Sequence, residues 1–419
     1  MTYNICIKCQ VCGSNTRIRL QVGWQEEHPI VVVCGECGTS LSGSVKIAQD
    51  IPALQFTFDN ADETRDTEAD YMIECSGEFP TAKQNKALAI EKMAINPYMR
   101  FLSYMKTDDS YKQFGLAVSQ LYETERNWKK YKRIINLFKN KSEYLVREIQ
   151  KEFHGQYFQC RDEFEILRAV HMIEVHGFYS ALRNDILDNF SFGNGITKLD
   201  SFQINSLIDF LNAHDGYHLE ELQDLIYKAY DDFINIYKHL IPALAIQYCK
   251  DNSYDYTVDG STTSSFDDVK QFYLDTYEAL GNLIIIPVAL NNIQYRANMN
   301  LMASIERDVS SLDDFMKLTK AKRYHFCLDT EMYTDFLDII TNAKLRNAIG
   351  HNDVEYDAIR QMITYIPNSK DRTKKETEYL LEFENEAIHM FQAVLGISEY
   401  LYHLRKLSLI YVMKKNNEL

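Results

Sequence analysis

The chain has 419 residues, long enough for more than one core, with 46% hydrophobic and 25% charged residues, as in ordinary globular proteins. Sixty acidic against 45 basic side chains give a formal net charge of −15, which opposes general adhesion to nucleic acid or to an anionic membrane, so any RNA contact must be local. No apolar run reaches membrane-spanning length; the longest, Leu283 to Leu290, contains Pro287 and reads as a buried helix segment.

Five of the nine cysteines fall within the first 37 residues. Cys9-Gln10-Val11-Cys12-Gly13 and Cys34-Gly35-Glu36-Cys37-Gly38 are two Cys-x-x-Cys-Gly knuckles. Each turn brings two sulfurs to one point, and two turns complete a tetrahedral four-sulfur site suited to a structural Zn2+ held by Cys9, Cys12, Cys34 and Cys37. Cys6 lies at the same spacing from Cys9 and is an alternative ligand in place of Cys12. Thr16 to Val22, Ile30 to Val33 and Ser42 to Ile47 alternate or are β-branched, which predicts strands and, with the knuckles, a small zinc ribbon. Such a ribbon is either a metal staple for a segment too small to hold its own core or a platform for a protein or nucleic-acid partner. Leu54 to Phe58 and Tyr71 to Cys75 continue the strand pattern around an acidic turn, Asp59 to Asp70. The first residues carry no charged and apolar signal regions, and the scattered Cys75, Cys160, Cys249 and Cys327 read as reduced core thiols, so a cytoplasmic setting is expected.

Beyond Pro80 glycine and proline become rare and apolar residues recur at helical spacing. The fold class expected is mainly α: a β zinc ribbon over 1–80, a helical middle domain over 81–260 and a helical domain over 261–419. In the middle region Lys129, Lys130, Lys132, Arg133, Lys139 and Lys141 form a basic run that either tracks an RNA backbone or is a solvated helix face. His171 and His176 are five apart, not the four of a metalloprotease pair, and His214 and His218 are four apart but straddle Gly216. Asp251 to Ser265 reads as a polar loop into the last region. There, helices are expected over Phe266–Ile285, Val288–Val309, Ser311–Lys322, Thr330–Ile349 and Thr377–Met413. A hairpin from Gln361–Ile366 and Tyr379–Phe383 is expected around the turn Pro367 to Lys375. No Gly-rich phosphate loop of the Walker or dinucleotide type occurs.

Leu345-Arg346-Asn347-Ala348-Ile349-Gly350-His351-Asn352-Asp353 stands where a helix should end, with Gly350 as the expected left-handed cap. On an unbroken helix residues five apart point about 140° away from each other, so a turn at Gly350 is needed to bring the His351 imidazole beside the Arg346 guanidinium. The pair would join a group titrating near neutral pH to a fixed planar cation, suited to a phosphodiester. The alternative is an Arg346 paired with a carboxylate such as Asp353 and a His351 that only caps the helix.

Arg-Asn-x-x-Gly-His at a helix end, followed by an acidic turn with a tyrosine, resembles the Arg-x(4–6)-His motif of the HEPN (higher eukaryote and prokaryote nucleotide-binding) family, over about the last third of the chain. The resemblance implies a helical bundle that pairs as a homodimer into a ribonuclease site needing no metal for catalysis, with Arg346, Asn347 and His351 as its catalytic residues. It also implies an antiviral defence or toxin effector acting on RNA, with an antitoxin or defence partner. Other members of the family do not cleave, so a zinc-ribbon adaptor that assembles a complex is the second expectation. Lys320, Lys322, Arg323 and Lys370 to Lys375 are candidates for a basic rim. Arg183-Asn184-Asp185 echoes the start of the motif without a histidine.

Overall fold

The computed structural model describes residues 2–47, 54–66, 68–86, 96–153, 158–182, 195–328, 331–337, 342–368 and 370–415. The Arg183-Asn184-Asp185 echo lies outside them. The described residues are mainly helical, with small β-sheets toward the start of the chain. They divide into two compact units, each drawn from three separate stretches: 1–119, 235–274 and 342–388 form unit 1, and 120–234, 275–341 and 389–419 form unit 2.

Unit 1 begins with strands β1 (Thr2–Cys9), β2 (Asn15–Gln21), β3 (Glu27–Ile30), β4 (Gly43–Ile47), β5 (Leu54–Phe58), β6 (Ala61–Thr64) and β7 (Tyr71–Ser76), followed by two-residue β8 (Thr81–Ala82) and β9 (Asn85–Lys86). One sheet runs β6-β1-β2-β7-β9 and a second β3-β4-β5, with β2 and β7 parallel and the other pairings antiparallel. Alternation explains the packing. Ile5 and Ile7 of β1, Ile18 and Leu20 of β2 and Ile73 of β7 join Ile30 and Val45 of the second sheet in one buried core. Strands β1, β6 and most of β3 lie outside the expectation: β1 covers the first residues, β6 falls inside the acidic turn, and β3 shares only Ile30 with the strand expected over Ile30 to Val33, where Val33 makes an isolated bridge to Ser40. Arg19, one of the few basic residues of the ribbon, is paired with Glu74, its registered neighbour on β7.

The polar segment around Gly260 departs from a solvated loop. After the bridge strand β10 (Asp259–Gly260), which pairs with β8, residues 261–264 are buried in unit 1. Hydrogen bonds reach this stretch from several elements. Val31 N–H donates to the Thr262 carbonyl, Ser76 N–H to Thr262 Oγ1, and Thr263 Oγ1 to the His239 carbonyl. Gln361 holds Ser261 from both sides: its Oε1 accepts the Ser261 N–H at 2.9 Å and its Nε2 donates to the Ser261 carbonyl at 2.6 Å. The Ser264 hydroxyl donates to Glu384, which has no exposed surface. These bonds replace the water a loop would otherwise keep.

Burial raises the Glu384 carboxyl to about 8. It is therefore protonated in the folded unit at neutral pH and ionised in the unfolded chain above about 4.3. Its contribution to stability is complete below the unfolded value and is lost as pH rises toward 8, at up to about 1.4 kcal/mol per pH unit. Glu384→Gln keeps an acceptor for Ser264 and cannot ionise, so the fall in thermal stability between pH 5 and 8 is expected to flatten in the variant. Melting curves across that range check this; parallel parent and variant profiles would contradict it.

The helices are α1 (Pro97–Tyr104), α2 (Ser110–Lys139), α3 (Leu145–Glu152), α4 (Glu163–Phe178), α5 (Ser201–Asn212), α6 (Leu219–Ile246), α7 (Phe266–Leu283), α8 (Ile285–Arg296), α9 (Leu312–Lys317), α10 (Lys320–Arg323), α11 (Ala343–Gly350) and α12 (Leu380–Lys415). In unit 2 the core is aromatic, with Phe233 stacked on Phe391 at 3.9 Å and Phe178 on Tyr230 at 4.5 Å. Beside it His171 lies between Glu174 and Glu399, with Tyr402 stacked on its ring at 4.0 Å. Burial opposes charge on His171, but hydrogen bonds to the two carboxylates outweigh it and raise the ring to about 9.

Four helix expectations needed shortening, among them Thr330–Ile349, of which only α11 from Ala343 is α-helical among the described residues, with a single 3-10 turn at Asp335–Leu337 before it. The one over Val288–Val309 ends at Arg296, where Ala297 takes the left-handed conformation. That over Ser311–Lys322 breaks at Leu318, whose backbone is extended. The last begins at Leu380, because Glu376–Tyr379 forms a strand.

Candidate functional site

The candidate metal centre is built by two matching turns in unit 1. In the first, Gly13 N–H donates to the Cys9 carbonyl and Cys9 N–H to the Ser14 carbonyl; in the second, Gly38 N–H donates to Cys34 and Cys34 N–H to Thr39. Gly13 and Gly38 both close their turns at positive φ, 76° and 73°, where a Cβ is strained. The glycine in each knuckle is therefore part of the turn. The four sulfurs converge to within 4.8 Å of one another, with Cys9 to Cys37 at 3.8 Å and Cys12 to Cys34 at 3.4 Å. A tetrahedron with metal–sulfur bonds of about 2.3 Å requires sulfurs about 3.8 Å apart, so the set fits a four-sulfur metal ion. Backbone amides of Glu36 and Cys37 aim at Cys34 Sγ, the expected shell around a thiolate. Cys6, buried on β1 opposite Arg17 and Thr64, is not part of the cluster. Among the described residues no other group of His, Cys, Asp or Glu gathers in this way. None of the nine cysteines is in a disulfide.

The helix-end motif lies on α11, also in unit 1. The helix starts because Asn342 caps it, its Oδ1 accepting the Leu345 N–H at 3.0 Å. This cap sits in a buried polar frame that the sequence reading missed. Asn342 Nδ2 donates to Glu378 Oε2 and to the Tyr365 hydroxyl, both at 2.9 Å, and Asn342 N–H donates to Glu386 Oε1 at 2.6 Å. Tyr273 supplies a further hydroxyl to Glu386. Burial pushes both Glu378 and Glu386 above the usual carboxylate range, and their side chains hydrogen-bond each other, so the pair retains a proton. Asn342→Ala removes the cap and strips a buried carboxyl of its donor, with an expected loss of about 2–4 kcal/mol in denaturant unfolding. A loss within error of zero would show that α11 is not held from this end.

The far end of α11 departs from expectation in one respect. Gly350 remains helical; the left-handed residue is Asn352, at φ 55°. Asp353 N–H reaches back to the Ala348 carbonyl at 2.8 Å and Asn352 N–H to Ile349 at 3.1 Å, the paired bonds of a Schellman cap. His351 is thus the cap residue, its φ of −102° and ψ of 4° nearly helical, and the turn that was to swing it toward Arg346 comes after it. Arg346 instead lies along the helix over Gly350, 3.7 Å from where a Cβ would stand, and its Nη1 donates to Asn347 Oδ1 at 3.2 Å. Asn347 and His351 are exposed, Arg346 half-buried.

Three strands, β11 (Val354–Asp357), β12 (Met362–Tyr365) and β13 (Glu376–Tyr379), follow as an antiparallel sheet. The hairpin is present with its second strand three residues earlier than expected, and the acidic turn after His351 is itself a strand. Beside the motif is a small polar cleft whose lining includes Asn352, Asp353, Tyr365, Arg372 and Lys375. Asp353 pairs with Arg372 at 2.8 Å and Lys375 with Glu355 at 3.3 Å, both on the surface. Of the other candidate rim residues, Lys374 meets Asp371 and Lys320 meets Glu278. Arg323 is buried in unit 2, its guanidinium bonded to Tyr217 and to the Gly281, Leu318 and Met316 carbonyls. It is a structural residue.

In unit 2 the basic run on α2 is matched by acids. Lys130 meets Glu152, Arg133 meets Glu148, Lys132 meets Asp231 and Lys139 meets Asp224, at 2.7–3.3 Å. That is a paired helix face and leaves little positive field for an RNA strand. No helix among the described residues is long and apolar enough to cross a membrane. No protein-family model, curated protein or solved structure matches the chain.

Proposed function

We propose that this chain is a metal-independent endoribonuclease of the HEPN kind, whose four-sulfur centre holds a structural zinc ion. The observation that carries the reading is the exposure of Asn347 and His351 with Arg346 at one end of α11, a helix whose other end is fixed by a buried frame. Exposed ion pairs around the motif support it too, since such pairs are worth only about 0–1 kcal/mol and can exchange a carboxylate for a phosphate.

RNA carries its own nucleophile. A base takes the proton of the 2′-hydroxyl, the 2′-oxygen bonds to phosphorus, the P–O5′ bond breaks, and an acid protonates the leaving 5′-oxygen. The products are a 2′,3′-cyclic phosphate and a 5′-hydroxyl. His351 is assigned the proton transfer, Arg346 the charge on the phosphoryl oxygens and Asn347 their orientation. One imidazole does not easily serve both ends of the reaction, so a homodimer that supplies a second His351 belongs to the reading. By the same resemblance the enzyme acts as a defence or toxin effector in the cytoplasm, restrained by a partner.

The test is digestion of total bacterial RNA by metal-loaded protein without magnesium, in EDTA, with retention of the bound metal verified and the new ends mapped. Cuts bearing cyclic phosphates are expected from the parent and not from His351→Ala. A second reading, a non-catalytic adaptor, is favoured by the late turn at Asn352, which leaves Arg346 and His351 on different helix faces within one chain. Intact RNA with both proteins would put the adaptor first.

A further inference from the structure

Asn342 is held at the start of α11 by two carboxyl groups from different elements. Glu378 on β13 accepts a hydrogen bond from its Nδ2 at 2.9 Å, and Glu386 on α12 accepts one from its backbone N–H at 2.6 Å. The donors are unequally shared. Glu386 Oε1 takes a further bond, from the Tyr273 hydroxyl at 2.9 Å, whereas Glu378 Oε1 is shut off from solvent and no donor group of a described residue reaches it. A buried carboxyl oxygen so placed is satisfied when it carries a proton itself, and the two glutamate side chains hydrogen-bond each other. One proton therefore completes the pair: Glu378 donates to the Glu386 carboxylate, and each keeps its bond to Asn342.

The surroundings oppose loss of that proton. From β12 the Tyr365 hydroxyl accepts from Asn342 and donates to Glu376 of β13 at 3.0 Å, and from α7 Tyr273 faces Glu386. Lys344 of α11 is engaged by Glu376 at 2.8 Å, and Glu382 on α12 adds a like charge. No lysine, arginine or histidine among the described residues pairs with either glutamate. With both ionised, two negative charges would share one secluded amide with no cation to offset them.

From this arrangement we infer that Glu378 and Glu386 are a proton-operated latch on α11. With one shared proton they clamp Asn342 and hold the helix; when that proton leaves for solvent, their repulsion frees Asn342 and the start of the helix loosens. The latch acts on the helix that bears Arg346, Asn347 and His351 whatever chemistry those residues perform. Burial holds the shared proton above the ordinary carboxylate value of about 4.3. A folded-state value raised above the unfolded one gives stabilisation that is complete below about 4.3 and is lost as pH rises through the folded value, so α11 is held most firmly on the acid side of that value.

The test is amide hydrogen exchange of the full metal-loaded chain between about pH 6 and 8.5, read by mass spectrometry on peptides covering Ala343–Gly350, with labelling times scaled to the intrinsic rate. Every chain carries Glu384→Gln, so that ionisation beside Ser264 does not contribute. Protection of α11 is expected to fall as pH rises, by up to about tenfold per pH unit, the limit for a single proton, while peptides from β1 keep theirs. Glu378→Gln gives Glu386 a permanent donor and Asn342 a permanent acceptor, so the fall should disappear. Glu386→Gln, which removes the charge repulsion from the other side, should make it shallower. Tyr365→Phe takes away a neutral partner of Asn342 and should lower protection by the same factor at every pH, with the slope intact. Protection of α11 that does not vary with pH, a slope unchanged in both glutamine variants, or an equal fall in β1 overturns the proposal. None of these readouts depends on RNA cleavage.

Discussion

Replacing Cys34 with serine is expected to abolish metal retention and to melt the two sheets of unit 1. Cys34 has no exposed surface, its sulfur receives backbone amides, and its side chain belongs to the same buried core as Ile18, Leu20 and Val45. Structural zinc sites of this type contribute about 10–16 kcal/mol of apparent binding energy, far above the stability of an ordinary domain. Losing one thiolate from four therefore removes more than the ribbon can replace. Metal content and far-ultraviolet circular dichroism on the purified variant check this. Cys6→Ser is the contrasting case: its thiol is buried outside the cluster, so metal content should match the parent. A Cys34→Ser protein that still holds one equivalent of metal, or a Cys6→Ser protein that loses it, would move the ligand set.

The second large effect is on chemistry. His351→Ala is expected to lower RNA cleavage by about 10²–10⁴-fold, the usual contribution of a positioned general acid or base. Arg346→Ala should be at least as severe, and Arg346→Lys should recover little, because an ammonium cannot reproduce the planar donors of a guanidinium. His351 is exposed and its bonds to the helix run through its backbone, so the substitution should leave the melting temperature unchanged. A folded His351→Ala protein that cuts at the parental rate would remove the histidine from the mechanism. Mixing inactive His351→Ala with inactive Arg346→Ala chains adds a sharper test: activity regained in mixed dimers requires each site to draw on two chains.

The sequence disclosed what depends on local chemistry. Four sulfurs at knuckle spacing, with a glycine where the turn goes left-handed, need no distant partner to be read. Alternation in Thr16 to Val22 and helical spacing in Phe266 to Leu283 were legible for the same reason. Hidden were features fixed by residues far away in the chain. Residues 261–264 carry the composition of a surface loop and become buried because Ser76, Gln361 and Glu384 supply their hydrogen bonds. Glu378 and Glu386 look like solvent-facing acids, and only the fold places Asn342 between them. The limits of the two units at 119, 234, 274 and 388 fall inside helices, so no Gly- or Pro-rich linker announces them. At the motif, Gly350 was the obvious cap by type, yet Asn352, the next best left-handed residue, took the turn and left His351 as the cap.

The discontinuity of unit 1 has a consequence for synthesis. On the ribosome the ribbon emerges ahead of the rest of unit 1, and its two sheets can close around a metal ion with contacts made within residues 2–86. The polar seam that the ribbon rests on comes much later: Thr262 bonds Ser76 across 186 positions, and Ser261 waits a further 100 for Gln361. Helix α11 is translated in that final interval, and its buried anchors Glu378 and Glu386 follow it. A nascent unit 1 thus carries a finished metal-binding module while its motif-bearing part is still incomplete. If the motif cuts RNA as proposed, the cell's own messages are shielded from it until Glu378 and Glu386 have been made.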